Sequence, residues 1–574
     1  MSQTKIHPSQ PRTTAQIRFS NGQVLEGPLN TTIEEFVKAA SFPPEPIPVA
    51  CLVDGQLREL TYHADRDINV RVLTLADGDG MRVYRRSLAF LLVAATNELF
   101  PNAKITIDYG LNFGALYCEV EGRPPFTEDE LKQIEAYMLK LVDENVPIIK
   151  ERISVEEARR IFEETGAEDR LSLLKARRKS YLTTYTLKGF RGYMHGYKVP
   201  STGYLRIFAL DTYYKGFVLR YPRTSLPDEL QPRVDYPKLV KVFDEYGNWM
   251  RKLDIHSVGR LNDVVRTGDM LETILVAEAL QEQRIAQIAT HIASIGHRIK
   301  LVLISGPSSA GKTTFSKRLS IQLLAHGFQP IAIGLDDFIV NRSETPRDEE
   351  GDYDYESLYS LRLDLLNQTL LGLMRGESVV LPRYNFFSGR SEPGETIAIT
   401  DEQIILIEGI HGMNPELVSA LPAERIFRVY VSALTQLNLD RQNRVPTTDT
   451  RLVRRILRDA QHRGYTAKDT IMRWPKVRRG EYTWIFPYQE NADIMFNSAL
   501  VYELAVMKPM VEPLLRQIEP GKPEHIEANR LLSFLQWFEP CPSDLVPTNS
   551  LLREFIGGSV LRPYKPGDKL MQEE

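Results

Sequence analysis

Cysteine is scarce in this chain of 574 residues: Cys51, Cys118 and Cys541 stand far apart. Their separation offers no metal-binding spacing and speaks against a disulfide framework. No apolar run approaches the roughly 20 residues that a membrane-spanning helix needs, so no membrane partner is expected. The polar start MSQTKIHPSQPRTT lacks the apolar core of a signal peptide, and the expected compartment is the cytoplasm. Neither sign of charge dominates. The net charge of −4 gives no global nucleic-acid footprint, and any basic patch must be local. Internal repeats and low-complexity segments are missing too, which removes solenoid architectures. What remains is 43% hydrophobic and 25% charged, the balance of a soluble globular protein. A chain of this length should hold roughly three to five domains.

The most informative stretch is GPSSAGKTTFSK, residues 306–317. Gly306, Gly311, Lys312 and Thr313 fill the pattern G-x-x-x-x-G-K-[ST]. Glycines let the backbone of Gly306, Ser308, Ser309, Ala310, Gly311, Lys312, Thr313 and Thr314 curl so that N–H groups meet phosphate oxygens. Lys312 reaches the β and γ phosphates, the Thr313 hydroxyl can ligate Mg²⁺, and the following helix adds its positive end. The flanks agree: residues 299–304 read as a buried strand, and Phe315, Leu319 and Leu323 mark the inner face of a helix. The pattern predicts binding of a nucleoside triphosphate, with Mg²⁺ beside it.

Around this loop the chain divides into five segments. In residues 1–75, Ile17 and Phe19 alternate with polar neighbours up to the turn Asn21-Gly22. Thr32 with Glu35 forms a capping box before a helix over 33–40, and strands are expected at 49–53 and 68–72. Residues 76–225 mix helices (88–100, 128–144, 155–165) with strands such as 105–109 and 204–210. Residues 226–285 hold helices and the end of a proline-rich linker that begins near 220. A long helix carrying Leu271, Ile274, Ile285, Ile288, Ile292 and Ile295 near one stripe leads into the loop strand. Residues 286–510 form an α/β unit, and 511–574 read as helical, ending in a polar tail.

Two further strands of the α/β unit end in acids. PIAIGLDDF carries Asp336 and Asp337 at the carboxyl edge of a parallel sheet, where open α/β folds place ligands. A carboxylate there can take a proton from an acceptor hydroxyl; a cap or plain turn is the alternative for either residue. IILIEG ends in Glu408, suited to the Mg²⁺ side or to capping the strand. Tyr353, Asp354 and Tyr355, then Tyr384, Asn385 and Phe386, mix flat faces with acceptors, as a sugar or base needs and as loop packing also produces. The run from Asp440 to Gly464 contains Arg441, Arg444, Arg451, Arg454, Arg455, Arg458 and Arg463. On a helix, Arg451, Arg455 and Arg458 share a face. They could form a solvated face or an RNA-binding stripe, but beside a phosphate loop a lid closing over the triphosphate is the more economical reading.

Residues 299–510 resemble the uridine kinase and phosphoribulokinase family. The match runs in order through GPSSAGKTTFSKRL, LDDFIVNRSETPRDEEGDYDYES, LPRYNFFSG, IILIEGIHG and RLVRRILRDAQHRG. The resemblance implies ATP- and Mg²⁺-dependent phosphorylation of the 5′-hydroxyl of a nucleoside, with uridine or cytidine as the expected substrate. It makes Asp336 the general base, and Asp354 the acid on the ribose hydroxyls beside Tyr353. Tyr384 becomes a base contact, Thr313 and Glu408 the metal side, and Lys312, Arg455, Arg458 and Arg463 contacts to phosphates or substrate. Three positions depart from the uridine–cytidine kinase pattern: Ile339 stands for a tyrosine, Gly389 for a base-reading histidine and Arg473 for a glutamine. A phosphoribulokinase-like enzyme with another ribose-bearing acceptor is therefore the nearest alternative. An RNA-binding regulatory P-loop ATPase is the alternative from another class.

The front half resembles the start of threonyl-tRNA synthetases. Residues 1–75 are similar to a TGS β-grasp module, and 76–225 to the second additional (editing) domain, through YRRSLAFLLVAATNELFP and MHGYKVPSTGYLRIF. The resulting fold class is a multidomain chain. It has an N-terminal β-grasp, an α+β editing-like domain, a P-loop kinase whose parallel sheet is flanked by helices, and a helical C-terminal segment. The histidine pair of editing sites would fall on Arg86 and Phe90, and their later cysteine and histidine on Met194 and Lys198, with His195 alone beside them. No deacylation is expected from such a set, since arginine and phenylalanine offer no lone pair. Arg86 and Lys198 suggest an anion site for tRNA, other RNA or a small anionic effector. The sequence leaves room for a homo-oligomer without specifying one.

Overall fold

A computed structural model describes residues 10–40, 42–385 and 387–567. Phe386 and the end of the polar tail therefore lie outside the described residues. The chain packs as two units. One comprises the chain up to Val234 together with 438–444 and 519–530; the other comprises the remainder. The five-segment division remains a proposal within that frame.

The first unit opens with strands β1 (Thr14–Phe19) and β2 (Val24–Pro28), helix α1 (Ile33–Ala39), and strands β3 (Pro48–Val53), β4 (Gln56–Arg58) and β5 (Ile68–Thr74). These strands form one sheet in the order β2-β1-β5-β3-β4, with β1 and β5 parallel. The alternation that suggested β1 puts Ile17 and Phe19 inside, against Phe36 and Val37 of α1. The Thr32/Glu35 capping box is present: Thr32 Oγ1 accepts the Glu35 amide and Glu35 accepts the Thr32 amide.

Helix α2 (Gly78–Leu99) begins ten residues before the expected start at 88. Gly80 explains the early start: a Cβ there would lie 2.0 Å from the Thr74 carbonyl, so a glycine lets the helix leave directly from β5. Leu88, Leu91, Leu92 and Ala95 are buried as expected, while Leu99 is 38% exposed. Then come β6 (Lys104–Leu111), β7 (Ala115–Glu121), α3 (Glu128–Asp143), β8 (Ile149–Ser154), α4 (Val155–Glu164), β9 (Tyr181–Leu187), β10 (Phe190–Gly192), β11 (Ala209–Tyr213) and β12 (Gly216–Arg220). The strand expected at 204–210 is a correction: Thr202–Tyr204 is a 3₁₀ turn and pairing starts at Ala209. Side chains take the place of a ladder there. The Ile207 amide donates to the Tyr84 hydroxyl, and the Leu210 amide to the Glu135 carboxylate. Segment 438–444 is tied to β6, because the Ile107 amide donates to the Arg441 carbonyl and Asn438 Nδ2 donates to the Ile107 carbonyl.

The second unit contains α5 (Pro237–Lys252), α6 (Val258–Thr267), α7 (Met270–Ile295), β13 (Leu301–Ser305), α8 (Lys312–Ala325), β14 (Gln329–Gly334), α9 (Leu363–Met374), β15 (Val379–Asn385), β16 (Arg390–Ile397), β17 (Gln403–Gly409), β18 (Ile426–Ser432), α10 (Thr447–His462), α11 (Ala467–Trp484), β19 (Ile494–Asn497) and α12 (Glu503–Arg516). Five strands make a parallel sheet in the order β14-β17-β13-β18-β19. Its central strands are near-continuous apolar runs, as a sheet covered on both faces requires. On α7, Ile274, Ile285, Ile288 and Ile292 are buried, but Leu271 is 49% exposed in the first turn, a second correction. Parallel register brings the ends of β13, β14 and β17 level: Glu408 pairs with both Ile304 and Gly334. Everything two residues beyond these positions converges on one edge. Among the described residues no helix is long and apolar enough to cross a membrane.

Candidate active site

The loop between β13 and α8 is shaped by close approach. A Cβ on Gly306 would stand 1.9 Å from the Val431 carbonyl of the neighbouring strand, so only glycine lets the chain turn here. Ser309 adopts φ +58°, left-handed backbone that a non-glycine residue holds only when its surroundings fix it. Lys312 Nζ donates to the Gly306 and Pro307 carbonyls at 2.9 and 3.2 Å. Burial lowers its pKa, while Glu408 and Glu554 oppose that shift. Phe315, Leu319 and Leu323 lie fully buried beneath, which anchors α8.

Register carries Glu408 to the loop. Thr313 Oγ1 donates to Glu408 Oε1 at 2.8 Å, and Glu408 Oε2 is buried with no partner. Burial raises the Glu408 pKa against the pull of Lys312. A hydroxyl, a carboxylate and an orphaned carboxylate oxygen at one point fit a hard cation, which takes oxygen donors.

Asp336 and Asp337, adjacent in sequence, do different things. Asp337 Oδ1 accepts the Tyr384 amide at 3.3 Å, tying the end of β14 to β15. Asp336 stays exposed to solvent, yet partial desolvation by the protein around it, with the charge of Asp337, raises its pKa; Arg463 and Lys312 work the other way. Tyr384 is buried at 7% exposure. Asp354 accepts the Glu356 amide at 3.1 Å. Tyr353 faces the Arg347 guanidinium at 4.5 Å, the packing of a loop on itself. Glu356 went unnoticed in the sequence. Burial pushes its pKa up to about 7 although Arg455 and Lys312 pull it down.

The arginines of α10 separate by depth. Arg455 donates to the Ser308 hydroxyl at 2.7 Å, and Arg455, Arg458 and Arg463 gather on buried Asp459 at 3.3, 2.9 and 3.7 Å. Arg451 is buried: its Nε donates to the Ser308 carbonyl, and its terminal nitrogens pair with Glu481 of α11. Glu481 also accepts the Ser308 amide at 3.2 Å. Burial alone would raise the Glu481 pKa, but Arg451 and Arg478 hold it below the ordinary value. Arg454 is fully buried against Glu503 at 2.5 Å. Arg451 therefore braces the loop and is not a free lid arginine, while Arg441 and Arg444 lie in segment 438–444 of the first unit. Arg473, at one of the three departing positions, lies over the Tyr465 ring at 4.0 Å.

In the first unit, Phe90 is fully buried beside Tyr185 and Phe190. Met194 and Lys198 are 4% and 2% exposed, and Lys198 Nζ donates to the Met194 and Gly196 carbonyls under the Tyr185 ring. Burial and nearby Arg86 hold the Lys198 pKa well below its usual value. Burial, with Arg86 and Lys198, lowers that of His195 to about 3. Lys198 is thus turned into the protein.

Comparison with known proteins adds the family. Residues 301–505 match the Phosphoribulokinase / Uridine kinase family, so the C-terminal part of the chain carries a P-loop kinase domain of that family. The N-terminal half matches the TGS- and editing-like region of threonine–tRNA ligases. The ligase of Symbiobacterium thermophilum is 31% identical over 195 residues, covering 34% of this chain and 30% of that protein. That of Acidithiobacillus ferrooxidans is 36% identical over 173 residues, covering 29% and 27%. The chain thus spans less than a third of the length of these relatives. A solved structure described as a possible uridine kinase from Bacillus stearothermophilus is 22% identical, with a TM-score of 0.27, covering 38% of this chain and 98% of that one.

Proposed function

We propose that the second unit transfers the γ-phosphate of ATP to the 5′-hydroxyl of a ribonucleoside, most readily uridine or cytidine. The observation that carries this reading is the convergence of Lys312, the Thr313–Glu408 pair and an Asp336 with raised pKa at one sheet edge. In this reading the loop amides from Gly306 to Thr314 and the Lys312 ammonium hold the phosphates. Thr313 and Glu408 would hold Mg²⁺, which when bound neutralises phosphate charge. Asp336 accepts the proton of the attacking hydroxyl as its oxygen bonds to the γ-phosphorus and the bond to the bridging oxygen of ADP breaks. Asp354 faces the ribose hydroxyls, Tyr353 and Tyr384 flank the acceptor, and Arg455, Arg458 and Arg463 meet the charge that develops in transfer.

One observation favours a second acceptor. Where the family places a base-reading histidine, Gly389 lies against Arg342, whose Nε would be 3.0 Å from a Cβ there. A guanidinium at that place suits an anionic or carbonyl-rich group on a ribose-bearing acceptor, as in a phosphoribulokinase-like reaction. For the first unit, recognition of RNA or a small anionic effector is the corresponding proposal, and an intracellular, cytoplasmic site of action fits both. Incubation with ATP and a panel of ribonucleosides and sugar phosphates tests the reading. ADP should appear only when one class of acceptor is present, and acceptor-independent ADP release would favour a regulatory ATPase.

A further inference from the structure

The C-terminal segment reaches the phosphate loop. Glu554 Oε2 accepts the Thr314 amide at 3.1 Å and the Thr314 hydroxyl at 2.9 Å. Four observations show that this contact is built into the fold. Leu551 lies over the loop, its side chain 2.3 Å from where a Cβ on Gly311 would be. Leu551, Leu552 and Phe555 are fully buried, and the Arg454 guanidinium lies 4.9 Å over the Phe555 ring. Arg553 ties the turn together through the Ser543 and Val546 carbonyls at 3.1 and 2.6 Å. Beyond it, Lys317 of α8 donates to the Leu561 and Arg562 carbonyls at 2.8 and 3.1 Å. The segment is fastened on both sides of Glu554.

The amide and hydroxyl that Glu554 engages belong to the first turn of α8, which directs unpaired N–H groups at anions. A carboxylate oxygen on them stands where a phosphate oxygen of a nucleotide would stand, and two anions cannot share those donors. Lys312 completes the picture, since its ammonium is folded back onto the loop's own carbonyls. Resting on the kinase reading above, we propose that Glu554 is an internal phosphate mimic. It fills a seat of the P-loop and holds the site closed to nucleotide until residues 543–562 withdraw.

The test uses the full chain. ATP affinity is measured by calorimetry for the wild type, Glu554→Gln, Glu554→Ala and Lys312→Ala. The Gln variant keeps an acceptor but loses the charge, so it should bind ATP about tenfold more tightly, a difference of about 1.4 kcal/mol, and the Ala variant at least as much. Hydrogen exchange of the wild type gives a second readout that needs no variant: peptides from 543–562 should lose protection when ATP saturates the protein. ATP affinity unchanged or weakened in both Glu554 variants would overturn the proposal, as would unchanged protection of 543–562. If Lys312→Ala weakens ATP binding while both Glu554 variants equal the wild type, the closed-site proposal fails and the P-loop reading stands. If Lys312→Ala binds ATP as the wild type does, the P-loop reading itself fails.

Discussion

Asp336 and Asp337 show how much one hydrogen bond decides. Residue type alone does not separate them; the family resemblance picks Asp336, and the structure gives Asp337 the Tyr384 amide. Asp336→Asn should lower kcat by about 10²-fold or more with ATP affinity nearly unchanged, the size expected for a lost general base. Asp337→Ala should instead reduce stability by about 1 kcal/mol, because a partly buried amide loses its acceptor. Denaturant titration beside steady-state kinetics separates the two outcomes. In the proposed role Asp336 must be ionised to accept a proton; with its pKa raised, the acid limb of the kcat profile should lie above the ordinary carboxylate range. Lys312 and the glycines were legible because their spacing is a pattern. Glu356, Asp459 and Glu481 were not, because a single acid in a polar helix or loop looks like any solvated residue. Only the folded chain shows that Glu481 takes Arg451, Arg478 and the Ser308 amide together.

The arginine-rich helix makes the same point at the level of elements. Periodicity put Arg451, Arg455 and Arg458 on one face; Arg451 and Arg455 do reach the loop at Ser308, while Arg458 turns to Asp459. Depth along that face could not be read from spacing, because it depends on where α11 supplies a carboxylate. Two predictions follow the depth. Glu481→Gln leaves two buried guanidinium groups short of charge and should cost about 3–5 kcal/mol in stability, read as a shift in denaturant midpoint. Asp459→Asn takes the charge from buried Asp459 and loosens Arg455, Arg458 and the more exposed Arg463, so it should lower stability and also raise the KM for ATP severalfold. Elements with local signatures were legible. The capping box at Thr32, the turn at Asn21-Gly22 and the apolar runs of β13 and β17 all lie where spacing puts them. The stretch 204–210 alternates like a strand, yet its backbone hydrogen bonds go to Tyr84 and Glu135, from elements far away in sequence.

Across the whole molecule, burial works against protonation of a histidine in each unit. Burial lowers His195 to about 3 and His411 to about 4. His195 is also surrounded by Arg86, Lys198, Arg530 and Arg177. An unfolded histidine takes up its proton near pH 6.5, so between that pH and the folded values the unfolded state binds more protons. Stability should therefore be fully present above about pH 6.5 and fall as the pH drops towards 4. Thermal melts between pH 7.5 and 4.5 should show this fall, and His195→Asn and His411→Asn should each flatten it. The make-up of the units was the least legible feature. Nothing local in NLDRQNR marks 438–444 as part of the first unit, where the Ile107 amide donates to the Arg441 carbonyl.

Synthesis on the ribosome gives that make-up a consequence in time. The first unit contains Arg530 and Glu527, which pair with each other at 2.6 Å and, through Glu527, with Arg82 at 3.2 Å. Those partners are translated nearly three hundred residues after Val234. At roughly 5–20 residues per second, the N-terminal portion waits about 15–60 s, exposed to chaperones and proteases, for the pieces that complete it. A nascent chain stalled near residue 300 should be cut readily within 76–225 by a protease that spares the same region once residue 530 has emerged.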